Sequence, residues 1–309
     1  FEFICRTSSR AVNKKTYESL ALAGSFDDLE DIDRKKYIYS NENESSFIEK
    51  AISYSNKLQK EKETKQTFLF NNSEESNLIT PEIPEIEPFT EIEKLKIEKE
   101  LLGIYVSGHP LDKYSFEIKN LCNSSFREIK DKNRLLGKTN IYTAGIVTNV
   151  EHRVSKNGKP YGTITIEDFS DSYNFIFFSD DYVKYKNFFE EGWFLFLRGK
   201  MKNKWNKEDE LEYKIDEINL LSKVREKMIK ELHLKINIDN INTKLVENLN
   251  EKFKNLKNGN CHLKVTILSN NNGKNISLDM ISREKKFELD DNLLNLLSSN
   301  PEIDYIVNK

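Results

Sequence analysis

Hydrophobic positions change their period several times along this chain, and the changes divide it into segments. Over residues 1–60 the spacing is helical. Tyr17, Leu20 and Ala21 share one face, with Gly24 as the predicted stop, and Phe47, Ile48, Ala51, Ile52 and Leu58 form a second amphipathic stretch. Between 59 and 90 the pattern lapses. Lys, Glu, Asn and Ser dominate, and Pro81, Pro84 and Pro88 follow closely. Such a stretch buries too little apolar area to offset its ordering entropy, so residues 61–90 are predicted to be a flexible linker. One apolar island interrupts it, Gln66-Thr67-Phe68-Leu69-Phe70. Helical spacing resumes at Thr90, which forms a capping-box pair with Glu93. It continues through Ile97, Leu101 and Ile104 and is predicted to stop near Ser107-Gly108-His109-Pro110, giving a helical connector over 91–137.

From about residue 138 the period falls to two. Ile141–Val147 reads as a strand, Val154–Glu167 as a hairpin turning at Asn157-Gly158, and Asn174–Phe178 as a third strand. A short helix over Asp181–Glu190 and two strands, Trp193–Lys200 and Leu211–Ile218, complete a unit over 138–222. Three strands, a helix and two strands is the order of an OB-fold β-barrel. Residues 230–309 read as a small α+β domain. Its predicted strands lie at Leu232–Ile238, His262–Leu268, Ile276–Ile281 and Tyr305–Val307, and its helices at Leu245–Phe253 and Leu293–Leu297. The predicted class is therefore α+β multidomain: N-terminal helices, linker, OB-fold barrel and terminal α+β domain.

Composition fits several small domains rather than one large core: 37% of the 309 residues are hydrophobic and 32% charged. A net charge of -3 excludes a uniformly basic nucleic-acid binder and leaves local patches. Cys5, Cys122 and Cys261 lie far apart, as do His109, His152, His233 and His262, so neither a zinc site nor a disulfide framework is indicated. A cytoplasmic, reducing location is the simple expectation, with no apolar run long enough to span a membrane and no signal peptide. No Met opens the chain, and it reads as part of something longer.

An OB-fold binds single strands through basic loops and aromatic platforms. The first hairpin offers Arg153, Lys156, Lys159 and Tyr161, and the loop between the last two strands offers Lys202, Lys204 and Trp205, with Lys207 beyond. Phe175 and Phe177 share a strand face that is either core or platform. The Gln66–Phe70 island has the composition of a peptide anchored in a partner's groove. The paired carboxylates Glu190-Glu191 and Asp290-Asp291 read as solvated surface, Lys14-Lys15 as a solvated pair or a phosphate contact, and Ser107 to Pro110 as a structural turn rather than a dyad.

The order of these pieces carries a resemblance. Val12-Asn13-Lys14-Lys15, Ala23-Gly24-Ser25-Phe26-Asp27, the Gln66–Phe70 island and above all Glu98-Lys99-Glu100-Leu101-Leu102-Gly103-Ile104-Tyr105-Val106-Ser107-Gly108-His109-Pro110-Leu111-Asp112 resemble the C-terminal part of bacterial DNA polymerase III alpha subunits. Gly158, the Thr163–Asp168 strand and Asp180-Asp181-Tyr182 are similar to that family's OB domain. The resemblance implies a non-catalytic segment of a DNA-directed DNA polymerase, in which Gln66, Thr67, Phe68, Leu69 and Phe70 bind the sliding clamp (the beta subunit). It further implies that the barrel holds single-stranded template DNA and that the terminal domain docks on the clamp-loader tau subunit. The catalytic carboxylates and their Mg2+ would belong to an upstream palm domain, so no catalytic residue, metal ligand or cofactor is assigned to this chain. The alternative is a stand-alone OB-fold module for single-stranded DNA or tRNA.

Overall fold

The computed structural model describes residues 1–7, 12–29, 31–41, 44–67, 80–131, 135, 139–204, 207–271 and 274–309, leaving the side chains of 61–67, 204, 207–210, 270–271, 274–275 and 284 outside the description. Two units result, Phe1–Pro110 and Leu111–Lys309.

Polar caps begin the helices of the first unit. After α1 (Glu2–Arg6), Asn13 accepts from the Thr16 amide to start α2 (Lys14–Leu22), and Asp33 accepts from the Lys35 amide to start α3 (Arg34–Ile38). The predicted stop at Gly24 holds: its φ is 84°, and an added Cβ would run into the Arg34 guanidinium. Tyr17, Ala21, Tyr37, Phe47, Ile48 and Ala51 form this unit's core. Helix α4 (Phe47–Thr67) runs on past residue 60, so the helical segment extends into the predicted linker.

Thr90 and Glu93 make the predicted capping box on α5 (Glu91–Leu102). The helix stops earlier than predicted. Gly103 adopts a left-handed φ of 78° and donates its amide to the Lys99 carbonyl, which ends the helix before Ser107–Pro110. The chain then folds back because Glu98 accepts from the amides of Val106 and Ser107, at 2.9 and 3.0 Å. The 91–137 stretch is thus not one connector. Its first helix belongs to the first unit, whereas the residues from Leu111 onward join the second.

In the second unit, α6 (Ser115–Leu121) and α7 (Phe126–Lys130) precede five strands: β1 (Ile141–Val154), β2 (Pro160–Glu167), β3 (Ser172–Phe178), β4 (Phe194–Lys204) and β5 (Lys207–Leu220). Their order is β3-β2-β1-β4-β5, all antiparallel, with α8 (Ser179–Tyr185) between β3 and β4. This is the predicted OB-fold, with both last strands longer than their hydrophobic patterns and the helix shorter, giving way to a 3-10 turn at Lys186–Phe188. Ile164, Ile166, Phe175, Phe177, Leu195 and Leu197 fill the barrel, and Phe126 and Ile129 of α7 plug it. Asp168 holds that plug by accepting from the Phe126 amide at 2.6 Å.

Alternate residues of β1 and β4 point out of the barrel into a second core. Ala144, Ile146, Phe194 and Phe196 pack there with Leu221 and Val224 of α9 (Leu221–Met228), a helix the pattern had not revealed. The rest of that core is the terminal domain: β6 (Glu231–Asn237), α10 (Thr243–Asn255), β7 (Asn258–Asn271), β8 (Lys274–Phe287), α11 (Asp291–Ser299) and β9 (Ile303–Asn308). The sheet order is β8-β7-β6-β9, with β6 and β7 parallel across the α10 crossover.

Candidate nucleic-acid interface

Strand alternation places two faces on the barrel wall, and the pairing register identifies the outer one. Arg153, Tyr161 and Phe178 stand opposite one another across β1, β2 and β3, and Glu151, Thr163 and Ile176 form the next row. The Tyr161 and Phe178 rings are stacked, with centroids 5.6 Å apart and planes 25° apart. Phe178 is 60% exposed and Ile176 56%. Large apolar side chains kept in water in a row are expensive unless something covers them.

Arg153 flanks the stack. Tyr161, by hydrogen bonding, and Glu151, at 2.6 Å, both hold its guanidinium firmly in the charged form. Beyond it the β1–β2 hairpin tip presents exposed Lys156 and Lys159. The tip is built as its turn residues require: Gly158 takes a φ of 72°, the Ser155 amide donates to the Lys159 carbonyl, and the Gly158 amide donates to the Ser155 carbonyl. Lys202 on β4 is exposed, and Lys204 pairs with Lys207 at the far end of the β4–β5 hairpin. Trp205 lies outside the described residues, as do Phe68, Leu69 and Phe70, while Gln66 and Thr67 form the end of α4.

The platform question resolves against Phe175 and Phe177. Both are buried, and they meet Tyr213, Tyr185 and Phe189 inside the barrel. The exposed aromatic of β3 is instead Phe178, which the sequence reading missed. It sits at even spacing from Ile176, and that alternation was the available signal. On the inner side of the same hairpin His152 stacks on Phe189 and hydrogen bonds to Tyr182 at 2.9 Å. Gly162 is needed opposite it, since a Cβ there would come within 2.7–2.8 Å of the Phe189 and Tyr182 rings.

The remaining candidate residues that the structure describes pair with neighbours or lie exposed. Lys14 bonds Glu49 at 2.7 Å, and Ser107 is held by Glu98 at 2.8 Å. Asp290 caps α11, Asp291 meets Arg225, and Glu190 and Glu191 are exposed. Among the described residues no three His, Cys, Asp or Glu side chains come together as a metal site would need. No helix among them is long and apolar enough to cross a membrane.

Comparison with known proteins matches the barrel and the terminal domain to separate families. Residues 141–221 match the family described as OB-fold nucleic acid binding domain, and residues 221–308 match DNA polymerase III alpha subunit, C-terminal domain. The DNA polymerase III subunit alpha of Borreliella burgdorferi is 27% identical over 287 residues, 91% of this chain. The likeness to DNA polymerase III alpha subunits thus runs over most of the chain, with its family-model match in the terminal domain. The subunit alpha of Halalkalibacterium halodurans is 28% identical over 81% of this chain, and that of Buchnera aphidicola 32% identical over 54%. This chain spans only 24%, 20% and 14% of the lengths of these three relatives. Among solved structures, a mitochondrial single-stranded DNA binding protein of S. cerevisiae aligns with 26% of this chain and 92% of its own, at 17% identity and a TM-score of 0.21, a likeness too slight to support a functional conclusion.

Proposed function

We propose that this chain serves DNA replication as a non-catalytic part of a DNA polymerase III alpha subunit. In this reading it holds single-stranded template DNA on the outer β2–β3 face of its barrel and is tethered to the sliding clamp. The observation that carries the DNA contact is the stack of half-buried Tyr161 on exposed Phe178 beside Arg153 and the Lys156–Lys159 hairpin tip. OB-folds bind oligonucleotides with this face and with the two hairpin loops that flank it. Bases stack on the rings while the cations track the phosphates, a mode that reads no particular sequence and suits a template.

The experiment is a salt titration of oligothymidine affinity by fluorescence anisotropy. Tyr161→Ala and Phe178→Ala are each expected to weaken binding by about 1–3 kcal/mol. Replacing Lys156 and Lys159 with Ala is expected to lower the salt slope by about 0.7 per lost phosphate contact. Wild-type affinity in both aromatic variants would remove the stacking platform.

The clamp tether rests on the Gln66–Phe70 island. It begins at the end of α4 and runs into a polar stretch. Two aromatics and a leucine in such a setting suit peptide-in-groove recognition, and tethering of this kind raises effective concentration without needing high affinity. Replacing Gln66, Leu69 and Phe70 together with Ala is expected to abolish binding to the clamp. Undiminished co-elution of the triple variant with the clamp on gel filtration would refute the tether. The terminal domain, by the same family resemblance, is read as the interaction module for the clamp-loader tau subunit.

A further inference from the structure

The sheet of the terminal domain is covered unevenly. Leu232, Leu234 and Ile236 of β6 are buried in the core with residues of α10 and α11. The same sheet face continues across Ile267 and Val265 of β7 to Leu278 and Met280 of β8, with Ile276 beyond. There the cover stops: Ile276 is 56% exposed, Leu278 58% and Met280 44%. β8 is also an outer strand of its sheet, flanked only by β7 among the described residues. Natural edge strands are usually protected by charge, proline or a bulge. Between Ile276 and Ile281 the single charge is Asp279. It is drawn inward onto its own sheet, accepting from Thr266 at 2.6 Å and pairing with Lys264 at 3.1 Å.

We infer that this edge and its apolar row form a docking site for an extended segment of a partner protein, apolar at alternate positions and acidic at one end. The inference rests on reading the terminal domain as an interaction module and adds the surface and its chemistry. Strand addition would satisfy the free edge with main-chain hydrogen bonds, while alternate side chains of the incoming segment cover Ile276, Leu278 and Met280. Charge sets the rest. In a chain of net charge -3, residues 244–286 carry nine lysines and arginines against four acidic residues. Five of these cations, Lys252, Lys254, Arg283, Lys285 and Lys286, lie toward one end of the strand. Lys285 reaches the carbonyls of Phe253 and Lys254 at the end of α10, beside exposed Lys252, Lys254, Arg283 and Lys286. A second copy of the chain fits less well, because antiparallel pairing of two β8 strands would bring this basic end against Lys274.

The test uses the full 309-residue chain and a fluorescein-labelled peptide with three acidic residues followed by alternating isoleucine and threonine. Saturable binding in fluorescence anisotropy is expected. Leu278→Lys, or lysines in place of the peptide's acidic residues, should weaken it by about tenfold or more, equivalent to about 1.4 kcal/mol. Equal binding by the variant or by the lysine peptide would overturn the inference. So would displacement of the peptide by oligothymidine, or a wild-type dimer in sedimentation that Leu278→Lys dissolves. Oligothymidine affinity measured on the same samples separates the two readings. Its absence from wild type counts against the proposed DNA contact alone, and its retention in Leu278→Lys shows that the variant is folded.

Discussion

Arg34→Ala is expected to destabilise the first unit by about 3–5 kcal/mol, the cost of leaving a buried carboxylate unpaired. The carboxylate is that of Glu98, fully buried on α5. Arg34 donates to it at 2.7 Å and also grips Asp27 and the Leu22 carbonyl, so one guanidinium ties α3 to α5 and to the end of α2. Burial pushes the Glu98 carboxyl up. The amides of Ser107 and Val106, the Arg34 guanidinium and the Ser107 hydroxyl together outweigh that push and hold its pKa at about 2. The sign comes from linkage. A carboxyl whose pKa is lowered by folding contributes stability that is present above the unfolded value of 4.5 and is lost as pH falls toward 2. The size is about 3 kcal/mol. Glu98→Gln should therefore be less stable than wild type at pH 7 and approach it near pH 2. Hydrogen exchange of the amides over residues 91–110 reads the difference. A constant gap between wild type and Glu98→Gln from pH 7 to pH 2 would show that the ionised carboxylate is not what holds this turn.

The second large effect is expected at Arg225. This residue of α9 donates to Glu117 of α6 at 2.8 Å, to Asp291 of α11 at 2.7 Å and to the Leu289 carbonyl at 3.3 Å, and lies over the Phe116 ring. Burial lowers its pKa, but Asp291 and Glu117 raise it by more, so it stays charged. Glu117 is 2% exposed, and its second oxygen has no hydrogen-bond partner among the described residues. Arg225→Ala should thus cost about 3–5 kcal/mol through the stranded Glu117 carboxylate. Arg225→Lys should not restore the loss, because an ammonium cannot span two carboxylates and a carbonyl as a guanidinium fork does. Replacing Arg225 with Met and Glu117 with Leu together should recover most of it, since neither charge is then buried. Both tryptophans, Trp193 and Trp205, belong to the second unit, so fluorescence during urea unfolding reports on this unit. A double replacement no more stable than Arg225→Ala would mean that packing, not charge pairing, sets the cost.

These two arginines also mark where sequence reading ran out. Glu98 lies among charged neighbours in a stretch whose pattern reads as a polar helix face, and nothing local shows that Arg34 closes over it. The predicted end of that helix was late for the same reason. Leu101 and Ile104 continue a helical spacing, yet Gly103 turns left-handed where the backbone is drawn back to Glu98. On β3 the run Phe175 to Phe178 is apolar at both parities, so alternation separates the two faces without saying which one enters the barrel. Pairing with β2 decides it, placing Phe175 and Phe177 inside and Phe178 outside. Phe194-Leu195-Phe196-Leu197 has the same ambiguity, and there both faces are buried, one in the barrel and one against the terminal domain.

What the sequence determined by itself is local or ordered along the chain. The capping box at Thr90 and Glu93, the turn at Asn157-Gly158, the strand and helix order of the barrel and the family resemblance all depend on residues close in sequence. What only the tertiary structure decided depends on partners far apart. Examples are the Arg34–Glu98 pair, the Arg225 junction, the stack of Tyr161 on exposed Phe178 and the uncovered row on β8. The physical reason is that helix caps and turns satisfy backbone groups within a few residues, whereas burial and charge pairing are properties of what the folded chain brings alongside.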